Sequence, residues 1–168
     1  MSTPNTTTTL ADARPEPSPT GDRPHTPRAR DPRAGNWTWE QLLDAVRQSG
    51  GYETVKDAES VTRVALSALG GHVTGDERVD LARRLPERAA RLVASQIPVT
   101  SPLVAADFVD YVAARTEGAT PATARWDLSS VLSVLPEAVG DDLVDRILAQ
   151  LPQGYALLFG RPQLVQAA

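Results

Sequence analysis

Cysteine is absent from the 168-residue chain, which excludes disulfides, thiolate metal sites and a cysteine nucleophile. Histidine occurs twice, as His25 and His72, too far apart in sequence to suggest a His-rich metal site. No metal and no cofactor is therefore expected. Lysine occurs once, as Lys56, against 16 arginines, a bias that a GC-rich coding sequence produces. No apolar run approaches the ~20 residues a transmembrane helix needs. The N-terminus lacks the basic start and apolar core of a secretory signal. A cytoplasmic, bacterial-type protein with no membrane partner is the expectation. The net charge of −4 supplies no general attraction for nucleic acid or anionic lipid. Segments alternating with a period of two over strand length are also missing, so the expected fold class is all-α.

What is present is a self-match. Slid on itself by 66 residues, the chain aligns without a gap. Asp44 falls on Asp110, Val46 on Val112, Leu66-Ser67 on Leu132-Ser133, Leu69 on Leu135, Val73 on Val139, Asp76 on Asp142, and Leu85-Pro86 on Leu151-Pro152. Self-similarity at a fixed period marks a repeat architecture. The expectation is a tandem duplication of a three- to four-helix unit within residues 36–162. Copy one runs over about 37–97 and copy two over about 101–162. A single unit of this size is marginal, so the two are expected to bury their apolar faces together in one helical bundle. Residues 1–35 hold seven of the 14 prolines, a threonine run and one large aliphatic residue, Leu10. Such a segment buries too little apolar surface to offset its ordering entropy, and a disordered Pro/Thr-rich tail is expected there. Residues 163–168 are expected to fray.

Local signals place the helices. Thr38 and Gln41 have capping-box spacing ahead of Trp39, Leu42, Leu43 and Val46. A second helix is expected from about Val55, capped by Thr54 and ended by Gly70-Gly71. Thr74 and Glu77 repeat the capping-box pattern before a third helix with Val79, Ala82 and Leu85 on its inner face. Pro86 suits the first position of a fourth helix, or a kink. Copy two is expected to open at Ser101-Pro102, a cap followed by a first-turn proline. Gly118 ends its first helix and Thr120-Pro121 starts the next. Pro136 kinks or ends that one, Asp141-Asp142 open the third, and Pro152 starts a closing turn.

Taken together, these features resemble the domain of unknown function 2267 family, uncharacterised bacterial all-helical proteins. The resemblance spans roughly Trp39 to Pro162. It rests on the two Leu-Pro steps, on Val131-Leu132-Ser133-Val134-Leu135, and on Leu151-Pro152 followed by Tyr155-Ala156-Leu157-Leu158-Phe159. It implies an all-helical domain built from a duplicated unit, and it carries over no catalytic residues.

The chemically active side chains form no obvious constellation. Asp76, Glu77 and Asp80 open one helix, and Asp141, Asp142 and Asp145 open another. Paired carboxylates suit cation binding or acid/base work, but acids at a helix N-terminus also offset its dipole. Ser129, Ser130 and Ser133 lack a histidine partner and an elbow pattern. His72 sits in a turn and reads as structural. Arg83, Arg84, Arg88 and Arg91 cluster around the first Leu-Pro step. If Leu85-Pro86 leaves the helical path intact, Arg84, Arg88 and Arg91 share one face. The second copy has Gln150, Gly154 and Leu157 at those positions. Trp126 replaces Ser60 and is expected in the interface between copies, or else as an exposed anchor. Tyr155, Leu157, Leu158 and Phe159 suit a partner-binding patch, but most of them are expected in the core, closing the second copy against the first.

The candidate interaction surface is therefore Arg84, Arg88, Arg91 and Trp126, with no catalytic, cofactor or metal residue assigned. The leading expectation is a protein-interaction module without catalytic activity, its partner and oligomeric state open. One alternative is a small-ligand binder or enzyme with a site between the copies, lined by Asp, Arg and Trp126. Another is anion or nucleic-acid binding through the first-copy arginines, against which stands the lack of basic bias and of an aromatic platform.

Overall fold

A computed structural model describes residues 34–162; most of the expected tail and the expected frayed end lie outside them. Among the described residues every regular element is a helix. In chain order these are α1 (Trp39–Gly50), α2 (Val55–His72), α3 (Gly75–Arg84), α4 (Glu87–Ala94), α5 (Ala105–Arg115), α6 (Pro121–Leu132), α7 (Leu135–Val139), α8 (Asp141–Gln150) and α9 (Tyr155–Leu158). No described helix is long and apolar enough to cross a membrane.

Two capping signals work as their spelling predicts. Thr38 Oγ1 accepts from the Gln41 amide at 3.1 Å, and Gln41 Oε1 accepts from the Thr38 amide at 2.9 Å. Thr120 opens α6 in the same reciprocal way with Thr123, and Pro121 takes the first helical position, where its missing N–H has no helical partner to lose.

Elsewhere tertiary contacts override the local spelling. α2 does not stop at Gly70-Gly71 but runs through both to His72. Gly70 is there for a close approach: a Cβ on it would lie 2.7 Å from Cα and O of Val93 in α4. The Thr74–Glu77 capping box does not form. The Thr74 amide donates instead to Gln150 Oε1 at 2.8 Å, and Gln150 Nε2 donates to Glu77 at 3.2 Å. Val79 is 48 % exposed, and Leu81 with Leu85 makes the inner face of α3. Ser101-Pro102 does not start a helix; α5 begins at Ala105 behind an extended Val104. α5 ends at Arg115 with Thr116 as its C-cap, and Gly118 sits in the turn beyond. Leu85 and Pro86 are both extended, so α3 ends at Arg84 and α4 starts afresh at Glu87.

One continuous apolar core joins all nine segments, from Leu42 and Leu43 in α1 through Leu66 and Leu69, Leu81, Val93, Phe108, Leu128 and Leu132, Leu135, Ile147 and Tyr155. The seam between the halves is thus filled. Tyr155 is fully buried, and its hydroxyl donates to Leu103 O at 2.6 Å, which ties the connecting segment to α9. Burial pushes that phenol above its ordinary pKa. His72 is buried with Nδ1 2.8 Å from Ala68 O and its ring edge-on to Phe108 at 4.8 Å.

Candidate functional site

The four residues singled out from sequence do not form one surface. Arg84, the last residue of α3, reaches across to the α7–α8 junction. Its Nη1 donates to Val139 O at 2.9 Å and to Asp142 Oδ1 at 3.0 Å. Its side chain is only 15 % exposed, so its charge is used inside the fold. Arg91 pairs with Glu87 at 2.5 Å on α4. The Arg88 guanidinium lies 5.6 Å from the centroid of the Trp39 ring, within cation–π range. Because the Leu85-Pro86 step is extended, Arg84 is turned off the face that carries Arg88 and Arg91. Trp126 does not fill the seam. It stands at the seam's rim, 60 % exposed, with Nε1 donating to Gly50 O at 3.1 Å. Beside it the Tyr52 hydroxyl donates to Asp127 at 2.6 Å. Trp126→Phe keeps an aromatic ring, though a smaller one, and loses one exposed hydrogen bond, so chemical unfolding is expected to show a loss of about 1 kcal/mol or less.

The carboxylates read the same way. Arg146 donates to Asp80 at 2.9 Å and lies 3.6 Å from Glu77. Arg161 bridges Asp141 and Asp145. Among the described residues no group of three His or acidic side chains is placed to hold a metal ion. The hydrogen bond from Arg84 holds the Asp142 carboxyl below its ordinary value. The unfolded chain then binds more protons than the folded one in the acid range, so the stability this pair contributes is present above the ordinary carboxyl value and is lost as pH falls below it. Asp142→Asn is expected to flatten the acid limb of a stability–pH curve and to leave the neutral-to-alkaline limb unchanged in shape.

One open groove, of about 520 Å³, lies on the second half. Its walls are Ala105, Ala106 and Val109 of α5, Pro121 and Ala122 of α6, and Leu157 and Leu158 of α9. Leu157 is 49 % exposed on this wall, while Tyr155, Leu158 and Phe159 are buried as expected. Small side chains create the space. Gly154, with φ +99, is confined to glycine twice over: the backbone is left-handed, and a Cβ would lie 2.8 Å from Ala105 Cβ. Asp110 and Arg125 stand on the lining, and neither makes an ion pair or hydrogen bond with another described residue. Sequence reasoning noted Gly154 only as the position matching Arg88, weighed Leu157 as a partner-patch residue more often expected in the core, and missed Ala105, Asp110 and Arg125. A signal existed in the same comparison, since Ala105 stands where the first half has Trp39.

Two further grooves open elsewhere: one of about 360 Å³ between α2, α4 and α5, where Arg115 stacks 3.5 Å from the Tyr111 ring centroid, and one of about 520 Å³ between α8 and the segment around Pro152 and Arg161. None of the three brings together a nucleophile, a base and an orienting group.

Comparison with curated proteins finds no match. The family model described as an uncharacterized conserved protein, DUF2267, matches residues 39–158, which runs from the first residue of α1 to the last of α9. That span covers most of the chain and all of the helical body, and the chain belongs to the DUF2267 family.

Proposed function

We propose that the protein is an interaction module, built from a duplicated helical unit, that docks a polypeptide partner in the α5–α6–α9 groove. The duplication is supported by the element bounds. α5 begins 66 residues after α1, α6 begins 66 after α2, and α8 begins and ends 66 after α3. Contacts across the seam pair in the way a two-fold arrangement requires. Asp80 and Arg146, which bond each other, are themselves 66 apart. Arg84 reaching the start of α8 is answered by Gln150 reaching the start of α3.

The docking reading is carried by one observation: an open apolar groove with a half-exposed leucine and two rim charges that no described residue pairs. A partner contributes the missing apolar contact and the missing counter-charges, which is the usual anatomy of a small interface core and rim. A photo-crosslinking residue placed at Ala122 tests it, with the same residue at Lys56, 66 positions earlier, as internal control. In cells, the Ala122 probe is expected to trap polypeptide and the Lys56 probe not to, and Leu157→Asp is expected to abolish the trapping. Equal trapping at both positions, or trapping unaffected by Leu157→Asp, overturns the reading.

A further inference from the structure

Resting on that reading, we infer that the groove receives an indole side chain from the partner, with a basic residue of the partner beside it. The first unit displays the arrangement the second lacks. Trp39, the first residue of α1, is buried at 7 % exposure with the Arg88 guanidinium over its ring. The residues 66 positions on are Ala105, the first of α5, and Gly154. These two also face each other, at the 2.8 Å separation that a Cβ on Gly154 would have from Ala105. The same pair of positions therefore meets in both units. In one it is an indole under a guanidinium; in the other it is two residues with almost no side chain.

The lining around the pair is apolar in the second unit, where Ala106, Ala122 and Leu157 replace Glu40, Lys56 and Arg91. Val109 and Leu158 stand where the first unit has Leu43 and Leu92. With the indole and the guanidinium gone, a groove of about 520 Å³ opens beside Ala105 and Gly154. It lies where the first unit places that pair, because the two positions meet in both units.

Charge specifies the neighbour. In the first unit Asp44 is held locally, by Arg47 at 3.2 Å and Gln48 at 2.8 Å. The corresponding acid, Asp110, has Ala113 and Ala114 at those positions, and it lines the groove. It is a carboxylate on α5 stripped of its local donors, and Arg125 of α6, which lines the same groove, makes no ion pair with it. A partner cation flanking the indole supplies the counter-charge, and reproduces from outside what Arg88 and Trp39 do within the first unit.

The test uses the full chain and a defined probe, N-acetyl-Trp-Arg amide, followed by methyl NMR. Saturable shifts are expected at Val109, Leu157 and Leu158, and none at Leu43 and Leu92. N-acetyl-Leu-Arg amide and N-acetyl-Trp-Glu amide are each expected to bind about tenfold more weakly. Asp110→Asn is expected to erase the preference for Arg over Glu. Ala105→Trp plugs the groove and is expected to abolish binding; Ala122→Lys, an exposed wall position, does the same should Ala105→Trp fail to fold. Absence of saturable shifts, equal binding of the Leu probe, or full binding by both plugged variants overturns the inference. Shifts of the groove methyls on dilution alone, or on deletion of residues 163–168, also overturn it, by assigning the groove to a second copy or to the chain's own end. Continued crosslinking at Ala122 with no probe binding sinks the indole assignment alone, whereas loss of both removes the docking reading as well.

Discussion

Gly70→Ala is expected to destabilise the protein by about 2 kcal/mol, and Gly71→Ala to stabilise it by about 0.5–1 kcal/mol, although both glycines lie in the same helix. Helix propensity alone gives the two substitutions the same sign, since alanine is favoured over glycine in a helix interior by about 1 kcal/mol. The difference lies in α4. A Cβ on Gly70 would stand 2.7 Å from Val93 Cα and 2.7 Å from Val93 O, and both are backbone atoms that cannot rotate away. The eight-residue α4 would have to withdraw from α2, taking the buried Ala89 and Val93 with it. Overpacking of that kind costs about 1–3 kcal/mol and can exceed it, enough to outweigh the propensity gain. A Cβ on Gly71 meets only Ile97 O at 3.8 Å, an ordinary contact. Thermal unfolding reads the result directly: a fall of about 7 °C for Gly70→Ala and a rise of a few degrees for Gly71→Ala. Equal signs would show that the α2–α4 crossing is looser than these distances.

The two glycines also show what a sequence can and cannot carry. A Gly-Gly pair after an apolar stripe spells a helix end, because glycine favours the left-handed C-cap. Only the position of Val93, more than twenty residues on, reverses that reading. The Thr38–Gln41 capping box, the Thr54 cap and the cap-then-proline start at Thr120-Pro121 were legible because nothing distant competes for them. Thr74 and Glu77 have the same spelling, but Gln150 takes the hydrogen bonds of both. Arg84, Arg88 and Arg91 share a face only if Leu85-Pro86 leaves the helical path intact; two extended residues at that step separate the first from the others. Trp126 was expected in the seam, or else as an exposed anchor; smaller side chains already fill that seam and the indole is left exposed at its rim. The groove was half legible. The 66-residue comparison pairs Trp39 with Ala105 and Arg88 with Gly154, but a lost side chain becomes a void only where the walls stay in place, and that is a property of the packed helices.

Arg78→Met is expected to cost about 3 kcal/mol, the largest loss from any single charged residue, with thermal unfolding lowered by about 10 °C. Nothing local marks Arg78. It follows Asp76 and Glu77 and precedes Asp80, so its charge reads as neutralised on the surface of α3. Its guanidinium instead binds only backbone carbonyls. It donates to Gly70 O near the end of α2, to Val93 O at 3.0 Å and Ala94 O at 3.2 Å in the last turn of α4, and to Gln96 O at 2.5 Å just beyond. A helix leaves its last four carbonyls without helical partners. In α4 the Arg91 carbonyl is met by the Ser95 amide and the Leu92 carbonyl by the side chains of Ser95 and Gln96. Ala94 O depends on Arg78, and Val93 O has beyond it a long 3.4 Å bond from the Gln96 amide and a share of the Ser95 amide that also meets Arg91 O. The cation also complements the negative ends of both helices. Methionine keeps the apolar stem and removes every donor, leaving partly buried carbonyls unpaired, a cost of about 1–3 kcal/mol for each that water cannot reach. Arg78→Lys restores the charge but not the planar fork of donors, so it is expected to recover less than half of the loss. Hydrogen exchange locates the damage: amides of α4 and of the last turn of α2 are expected to lose protection first, ahead of α6 and α8. Full rescue by lysine, or uniform loss of protection across the domain, would mean that Arg78 acts through its charge alone. Because the same carbonyls flank the Gly70–Val93 contact, Gly70→Ala and Arg78→Met act on one junction, and the double variant is expected to lose less than the sum of the two single losses.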